Sequence, residues 1–316
     1  MTIINYHYVR DTCETDFPGL KSLSCKEFSS QLDGLSRRYH VITMQELLAA
    51  MDDPTLDFPN DACLLTFDDG YIDHIANVLP LLLAKGWQGT FFPSARPALV
   101  RKALDINKIQ FILAARAEET KIVTRICDLV NSTEENSGKK SVDDYWNQFG
   151  LKGRFDSPKT MFIKRMLEYG LPSEIRNPLL DDLFREYVTQ DELGFVEQQY
   201  MDAHHLQTLV NEDMYIGNHG SDHLRLGVHP LDSQISEIKG GIDLLNTIGI
   251  DTEKGWVMAY PYGSYNLDVK DIVTKSGCKI AFTIEPLIAD LGSLDRMAVP
   301  RLDTKDVTVQ DDNSLS

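Results

Sequence analysis

Two adjacent acidic residues, Asp68 and Asp69, end an apolar stretch and are followed at once by Gly70. The residues before them, Leu64 to Phe67, favour β-strands, so we expect both carboxylates at the end of a strand. Adjacent carboxylates repel each other unless a cation or a shared proton compensates them. A divalent metal would do so, with one carboxylate as its ligand and the other free to act as a base. For these three residues alone, the simpler interpretation is a solvated turn in which an aspartate caps the next helix.

Two histidines four positions apart, His219 and His223, offer the kind of ligand that such a metal needs. They follow a short predicted strand at Met214 to Gly217, so they too should lie where a strand ends. If the segment turns helically, both imidazoles share a face and can bind one ion. The pair alone is a weak signal. Two histidines with one carboxylate are, however, a recurrent ligand set for catalytic metals that keep positions open for water.

A third segment, Tyr260 to Gly263, follows the apolar residues Trp256 to Met258. This turn would present backbone N–H groups and an aromatic wall. Together with Thr66 to Gly70 and His219 to His223, it resembles the motifs of the polysaccharide deacetylases of carbohydrate esterase family 4, also called the NodB-homology family. The resemblance extends from the N-terminus to about Arg301.

This resemblance implies metal-dependent hydrolysis of an amide C–N bond, most simply N-deacetylation of an acetamido sugar or glycan intermediate. It assigns Asp69, His219 and His223 as ligands of one divalent metal and Asp68 as the general base. It also implies that the backbone N–H of Tyr262 helps to stabilise the oxyanion. Zinc is the expected metal, and cobalt, nickel or iron would suit the same ligands.

The chain departs from the family pattern at three places. Gly220 stands where a serine or threonine usually follows the first histidine, and Ala259 stands where an arginine often orients the base. Arg301 is the best candidate to supply that guanidinium from elsewhere in the chain. No histidine follows His229, so the usual C-terminal proton donor for the leaving amine is also missing.

His7 is the candidate for that donor. One branch of the family, similar to the poly-N-acetylglucosamine deacetylases, has a circularly permuted arrangement with a Tyr-His pair on the first strand, and here the pair is Tyr6 and His7. A lone histidine in a strand is normally a core residue, but this one would reach the mouth of a barrel. We further expect Tyr71, Tyr260 and Pro261 to contact the substrate.

Short apolar strands alternate with amphipathic helices over most of the chain, which indicates a parallel sheet, and chemistry at strand ends favours a barrel. With the resemblance, we predict an α/β fold, an irregular (β/α)7-type barrel forming a single domain over residues 1–316. Between about Val100 and Gln199 the alternation gives way to helical periodicity. We interpret this stretch as a helical insertion that either folds over the barrel mouth or is a structural appendage. Residues Asp311 to Ser316 are predicted to be a frayed tail.

The composition, with 42% hydrophobic and 25% charged residues, is that of an ordinary globular protein. A formal net charge of −17 disfavours nucleic acid and anionic membranes as partners, because the long-range field repels them. The five scattered cysteines lack CxxC spacing and favour a reducing compartment. We recognise no signal peptide or membrane span, and therefore expect a cytoplasmic protein acting on a soluble or carrier-linked sugar.

Two other functions remain open at this point. A non-sugar C–N hydrolase, of the ring-opening amidohydrolase type that shares this fold, is favoured by the missing arginine at Ala259. A catalytically silent relative that binds a glycan or a partner is disfavoured by the presence of Asp68, Asp69, His219 and His223, since a silent relative need not keep all four.

Overall fold

The computed structural model describes residues 1–13, 15–115, 117–133, 140–153 and 156–307. The chain forms two compact units. The first contains Met1–Asp11, Ser22–Lys102 and the chain from Val196 onward, and the second contains Thr12–Lys21 and Ala103–Phe195. The tail predicted at Asp311 to Ser316 lies outside the described residues.

The strands all belong to the first unit, and their described pairings within the sheets are parallel. In chain order they are β1 Thr2–Tyr6, β2 His40–Val41, β3 Ala62–Asp69, β4 Thr90–Pro93, β5 Tyr215–Ile216, β6 Trp256–Ala259, β7 Cys278–Phe282 and β8 Leu302–Asp303.

These strands close into a ring. The longer sheet has the order β5–β4–β3–β1–β8, and β6 pairs with β7. Single bridges join the two sheets at both ends. Asn218 just past β5 pairs with Met258 of β6, and Phe282 of β7 pairs with Val299 just before β8. The ring therefore contains seven described strands, with β2 paired to β3 outside this path. The predicted irregular (β/α)7-type barrel is confirmed.

Strand β3 delivers both carboxylates, and every residue in it is buried. Its side chains alternate between two apolar clusters: Leu64 packs with Phe92 and other residues of the barrel interior, whereas Phe67 packs with Phe28 of the surrounding layer. This period of two directs Asp68 into the barrel. The alternation ends at Asp69, which has a left-handed φ of 72°. Its side chain therefore does not have to point out of the barrel, as the period of two would require.

Helices follow most strands and cover the ring, and capping boxes begin both α1 and α2. A π-helical segment, His74–Val78, precedes α3. No helix in the described ranges is both long and apolar enough to cross a membrane. The α-helices are α1 Cys25–Arg38, α2 Met44–Asp52, α3 Leu79–Lys85, α4 Asp105–Ala114, α5 Glu119–Thr133, α6 Val142–Phe149, α7 Pro158–Arg165, α8 Ser173–Tyr187, α9 Glu192–Gln199, α10 Ala203–Asn211, α11 Leu231–Thr247 and α12 Leu267–Lys275.

The second unit is mainly helical in the described residues of Ala103–Phe195 and has a core of its own. Phe195 packs edge-on against Phe111 and Phe184, with ring centroids 4.8 and 5.0 Å apart. The buried ammonium of Lys108 lies 2.8 Å from Asp181 and 2.9 Å from Glu192. The helical content predicted for residues 100–199 is therefore present. The single-domain organisation and the role of the insertion stay predictions.

Candidate metal centre

Three side chains converge at the carboxyl ends of the strands. Asp69 Oδ1 lies 3.3 Å from Nε2 of His219 and 3.3 Å from Nε2 of His223. The three potential ligand atoms all lie within 4.8 Å of one another. All three side chains are at most 8% exposed. The structure thus brings together the residues that the sequence proposes as metal ligands.

The chemistry of these atoms fits a divalent cation. His219 Nδ1 lies 2.7 Å from the carbonyl oxygen of Ala259, which in a neutral imidazole places the proton on Nδ1 and leaves the Nε2 lone pair facing Asp69. Asp69 Oδ1 is buried and has no hydrogen-bond partner among the described residues. Burial lowers the pKa of His223, which favours its neutral, ligating form. Facing lone pairs of this kind are what a divalent metal with nitrogen and oxygen ligands requires.

The two histidines converge without a helix. The loop after β5 that carries them is irregular, with left-handed φ angles of 75° at Gly220 and 58° at His223. Residues after β4 fasten this loop, because the N–H groups of Ala95 and Arg96 donate to the carbonyls of Gly220 and Ser221 at 3.0 and 2.9 Å. The convergence predicted from the spacing is present, but the helical turn assumed for it is wrong.

Tyr71 orients the carboxylate ligand. Its hydroxyl donates to Asp69 Oδ2 at 2.6 Å, which leaves Oδ1 for a metal. Burial first, and then the charge of Asp69, raises the pKa of this hydroxyl well above its ordinary value, so it stays a donor. The ring is 0% exposed and stacks on Tyr8 with centroids 3.8 Å apart. The substrate contact predicted for Tyr71 stays a prediction.

Asp68 is held by a bidentate ion pair with Arg301. Nη1 and Nη2 of Arg301 donate to Oδ1 and Oδ2 at 2.8 and 2.7 Å, and its Nε donates to the carbonyl of Thr283 at 2.9 Å. Burial alone would raise the pKa of Asp68, but Arg301 and then His219 outweigh it, so this pKa lies below its ordinary value. The partnership expected between Arg301 and the proposed base is present.

His7 directly follows β1 and is exposed. In the parallel register of β1 and β3, Tyr6 lies opposite Phe67, so His7 is next to Asp68 where the two strands end. Nε2 of the fully buried His74 lies 3.0 Å from the backbone carbonyl of His7 and donates to it. The structure therefore puts His7 beside the candidate site and not in the apolar core.

The residues after His7 are held by side chains that carry little sequence signal. Asp73 Oδ2 accepts hydrogen bonds from the N–H of Val9 at 3.0 Å and from Nε of Arg10 at 2.7 Å. Asn77 Nδ2 donates to the carbonyl of Val9 at 2.8 Å. Asp73 and Asn77 are four positions apart where the chain turns helical after β3, so they share a face. That spacing was their only signal.

Tyr262 lies at the edge of the ligand set. It has a left-handed φ of 57° within the turn Pro261–Gly263. Its ring meets the ring of His223 edge-on with centroids 4.6 Å apart, and the guanidinium of Arg225 lies 4.2 Å from the Tyr262 centroid. The predicted turn is therefore beside the proposed metal ligands.

Tyr260 and Pro261 begin the turn that follows β6. Both are buried, and Tyr260 is 0% exposed. The hydroxyl of Tyr260 donates to the carbonyl of Met297 at 3.1 Å, and its ring belongs to the core. The substrate contacts predicted for these two residues stay predictions.

Residues 180–281 match the family model described as polysaccharide deacetylase, and this stretch contains both histidines and the turn at Tyr260 to Gly263. The match confirms the resemblance to the polysaccharide deacetylases that the sequence motifs indicate. The acidic pair of β3 lies outside the matched residues, yet it completes one buried ligand set with the two histidines. A search of curated proteins found no match.

Solved deacetylase structures share the fold. The Streptococcus pyogenes deacetylase PplD in complex with acetate superposes with a TM-score of 0.56 at 14% identity, over 96% of this chain and 91% of that one. IcaB from Ammonifex degensii gives a TM-score of 0.52 at 16% identity, over 96% and 91% of the two chains. The BpsB deacetylase domain from Bordetella bronchiseptica gives 0.52 at 12% identity, over 96% and 95%. At these identities the likeness shows the fold alone.

Proposed function

We propose that this protein hydrolyses the N-acetyl group of an acetamido sugar or glycan intermediate, with one divalent metal, zinc in the first place. The observation that carries the proposal is the buried set of Asp69, His219 and His223 beside Asp68, which is paired with Arg301. A metal site alone could be structural. An ionised second carboxylate next to it adds the base that hydrolysis requires.

Asp68 would act as the general base. Although burial opposes ionisation, Arg301 holds the pKa of Asp68 below its ordinary value, so the carboxylate is ionised at neutral pH and can accept a proton from water. The two guanidinium hydrogen bonds also fix the plane of the carboxylate. When bound, the metal would polarise the substrate carbonyl and lower the pKa of water.

His7 would protonate the leaving nitrogen. Its exposed side chain is free to meet a substrate, while His74 fixes its backbone. The backbone N–H of Tyr262, in the turn beside His223, would donate to the oxyanion, and one such donor is typically worth ~3 kcal/mol. Base, acid and oxyanion donor would then come from three different strand ends.

The ring-opening alternative loses the feature that favoured it. That alternative depended on the arginine missing at Ala259, but Arg301 supplies a guanidinium to Asp68 from β8's side of the ring. The carbonyl of Ala259 instead holds His219, a contact that any residue at this position could make. This replacement supports deacetylation.

Acetate release from a panel of N-acetylated sugars tests the proposal, with cyclic ureides assayed in parallel on the zinc-loaded protein. We expect acetate from at least one acetamido sugar and no opening of the ureides. Ureide opening without acetate release would replace the proposal with the ring-opening alternative. Stoichiometric metal with neither activity would replace it with the silent relative.

The base assignment has its own test. Asp68→Asn should keep the metal and lose about 10²- to 10⁴-fold in rate, because an amide cannot accept the proton of water. Asp61→Asn changes an exposed aspartate just before β3 and should leave the rate unchanged. Metal analysis and acetate release on both variants measure this, and an Asp68→Asn enzyme of full rate would contradict it.

A further inference from the structure

Glu237 is a buried carboxylate that the proposed reaction does not use. It lies on α11 and is 2% exposed. Both of its oxygens accept from the N–H of Asp222 at 3.0 Å, and Oε1 also accepts from the N–H of Leu224 at 2.9 Å. These two N–H groups belong to the residues on either side of His223. The carboxylate therefore grips the backbone of a proposed ligand from both sides.

The helix that carries Glu237 is shaped to approach this loop closely. Gly240 and Gly241 share its face at positions i+3 and i+4. A Cβ at Gly240 would lie 2.7 Å from the side chain of Ser221, and one at Gly241 would lie 1.9 Å from Asn218 Oδ1. Glycine is unfavourable inside a helix, so two in succession are explained by the contact that they permit. Asn218 completes it by donating to the carbonyl of Ile238 at 3.0 Å.

Glu237 also accounts for the departure at Gly220. Gly220 has a φ of 75°, and a Cβ there would lie 2.5 Å from Glu237 Oε1. A serine or threonine at this position would therefore lie too close to the carboxylate, and one of the two side chains would have to shift. Glu237 fills the space beside Gly220. It also makes hydrogen bonds to the loop, the role that a hydroxyl after the first histidine would otherwise have.

We propose that Glu237 is a positioning residue that sets the conformation of the loop and so presents His223 to the metal, in place of the missing hydroxyl. His223 has a left-handed φ of 58°, which is uncommon for a residue other than glycine and needs support from its surroundings. Hydrogen bonds to the N–H groups before and after it provide that support. The inference depends on the metal centre of the proposed function and not on the identity of the substrate.

Cobalt titration of the full-length protein tests this inference, because the visible spectrum of bound cobalt reports ligand geometry. In Glu237→Ala we expect cobalt affinity to fall by about tenfold or more, with an altered spectrum. Glu237→Gln should lie between Glu237→Ala and the unmodified protein, because its carbonyl oxygen can replace Oε1 while its amide NH₂ group cannot accept in place of Oε2 and the negative charge is lost. It decides the question if Glu237→Ala does not fold.

Gln234→Ala is the matched control. Gln234 is also buried on α11, but its amide donates to the carbonyls of Leu226 and His229, away from the ligands. It should reduce thermal stability and leave cobalt affinity and spectrum unchanged. Unchanged affinity and spectrum in Glu237→Ala would overturn the inference. If the unmodified protein binds no cobalt, the proposed metal centre fails and the inference fails with it.

A double-mutant cycle separates positioning from general stabilisation. Gly220→Ser alone should weaken cobalt binding by about tenfold or more, since the new side chain lies too close to Glu237. In the Glu237→Ala background the same change should cost less than about threefold, because the space is open and the hydroxyl can bond locally. The strain of the left-handed φ is the same in both backgrounds and cancels. Equal effects in the two backgrounds would contradict the proposal.

Discussion

At the scale of single residues, the adjacent carboxylates of Asp68 and Asp69 differ in function because they have different hydrogen-bond partners. Both oxygens of Asp68 accept from Arg301, whereas Asp69 gives one oxygen to Tyr71 and turns the other toward the histidines. Burial opposes ionisation of both, yet these partners hold both pKa values below the ordinary range. Both carboxylates are therefore ionised at neutral pH. Their mutual repulsion is compensated by these partners and does not require a proton shared between the two.

Arg301→Met should move the acid limb of the pH–rate profile to higher pH. Without the guanidinium, burial would raise the pKa of Asp68, so less of the base is ionised at neutral pH. Breaking this buried pair should also cost about 3–5 kcal/mol of unfolding free energy. In the intact protein that stability is present above the unfolded-state pKa of the carboxyl and is lost as pH falls.

The measurements are a pH–rate profile and urea unfolding. Arg296→Met removes a guanidinium that is 42% exposed and pairs with Asp52, so it is the matched control and should change neither. An unshifted acid limb in Arg301→Met would show that Arg301 does not control the ionisation of Asp68.

Tyr71→Phe should weaken metal binding by about tenfold or more while the fold persists. The change removes the hydrogen bond to Asp69 Oδ2 and keeps the ring stacked on Tyr8. Tyr260→Phe is the control, because it also deletes a buried hydroxyl, but one that bonds to a backbone carbonyl. Zinc affinity by competition with a chelating dye measures both. Equal affinities in the two variants would rule out an orienting role for Tyr71.

At the scale of elements, the site is made from chain segments that follow strands. The acidic pair ends β3, the histidines follow β5, Tyr262 follows β6, and His7 follows β1. Parallel strands bring these ends to one rim, which is why residues so distant in sequence meet. The segment after β1 is held by Asp73, His74 and Asn77 from the helical stretch after β3.

His7→Ala should keep the metal and lose about 10²- to 10⁴-fold in rate on acetamido sugars. The loss should be much smaller on activated aryl acetates, whose leaving group needs no proton. His204→Ala removes an exposed histidine at the start of α10 and should have no effect. Steady-state rates on both substrate classes check this. Equal losses on the two classes would assign His7 a role other than proton donation.

At the scale of the whole molecule, a metal would join two segments of the ring whose strands, β3 and β5, are not neighbours but are separated by β4. An ion held by Asp69, His219 and His223 would connect the end of β3 to the loop that follows β5. We therefore expect metal binding and unfolding to be coupled.

Zinc at about 100 times its dissociation constant should stabilise the protein by about 2.7 kcal/mol and raise its Tm. His219→Ala should show no such rise, and a chelator should lower Tm only in the unmodified protein. Differential scanning calorimetry with and without metal is the measurement. A Tm increase that persists in His219→Ala would place the binding site elsewhere.

The sequence by itself determined the acid-bearing strand, the metal-ligand types and the barrel class, because each has a local signature. An apolar run that ends in two aspartates, and two histidines at fixed spacing, can be recognised without knowing what packs against them. The spacing did not determine how the histidines meet. The left-handed backbone at Gly220 and His223 does so without a helix.

Tertiary structure decided which groups surround these ligands. Arg301 reaches Asp68 across 233 positions of sequence. The sequence indicated Arg301 only because the family motif lacks its usual arginine at Ala259. Tyr71 lies near the acids, as expected, and its hydroxyl donates to Asp69 while its ring stacks on Tyr8. Glu237 had no signal at all. Side-chain direction and long-range partners depend on how strands and helices pack, and a single sequence encodes that packing only through the whole fold.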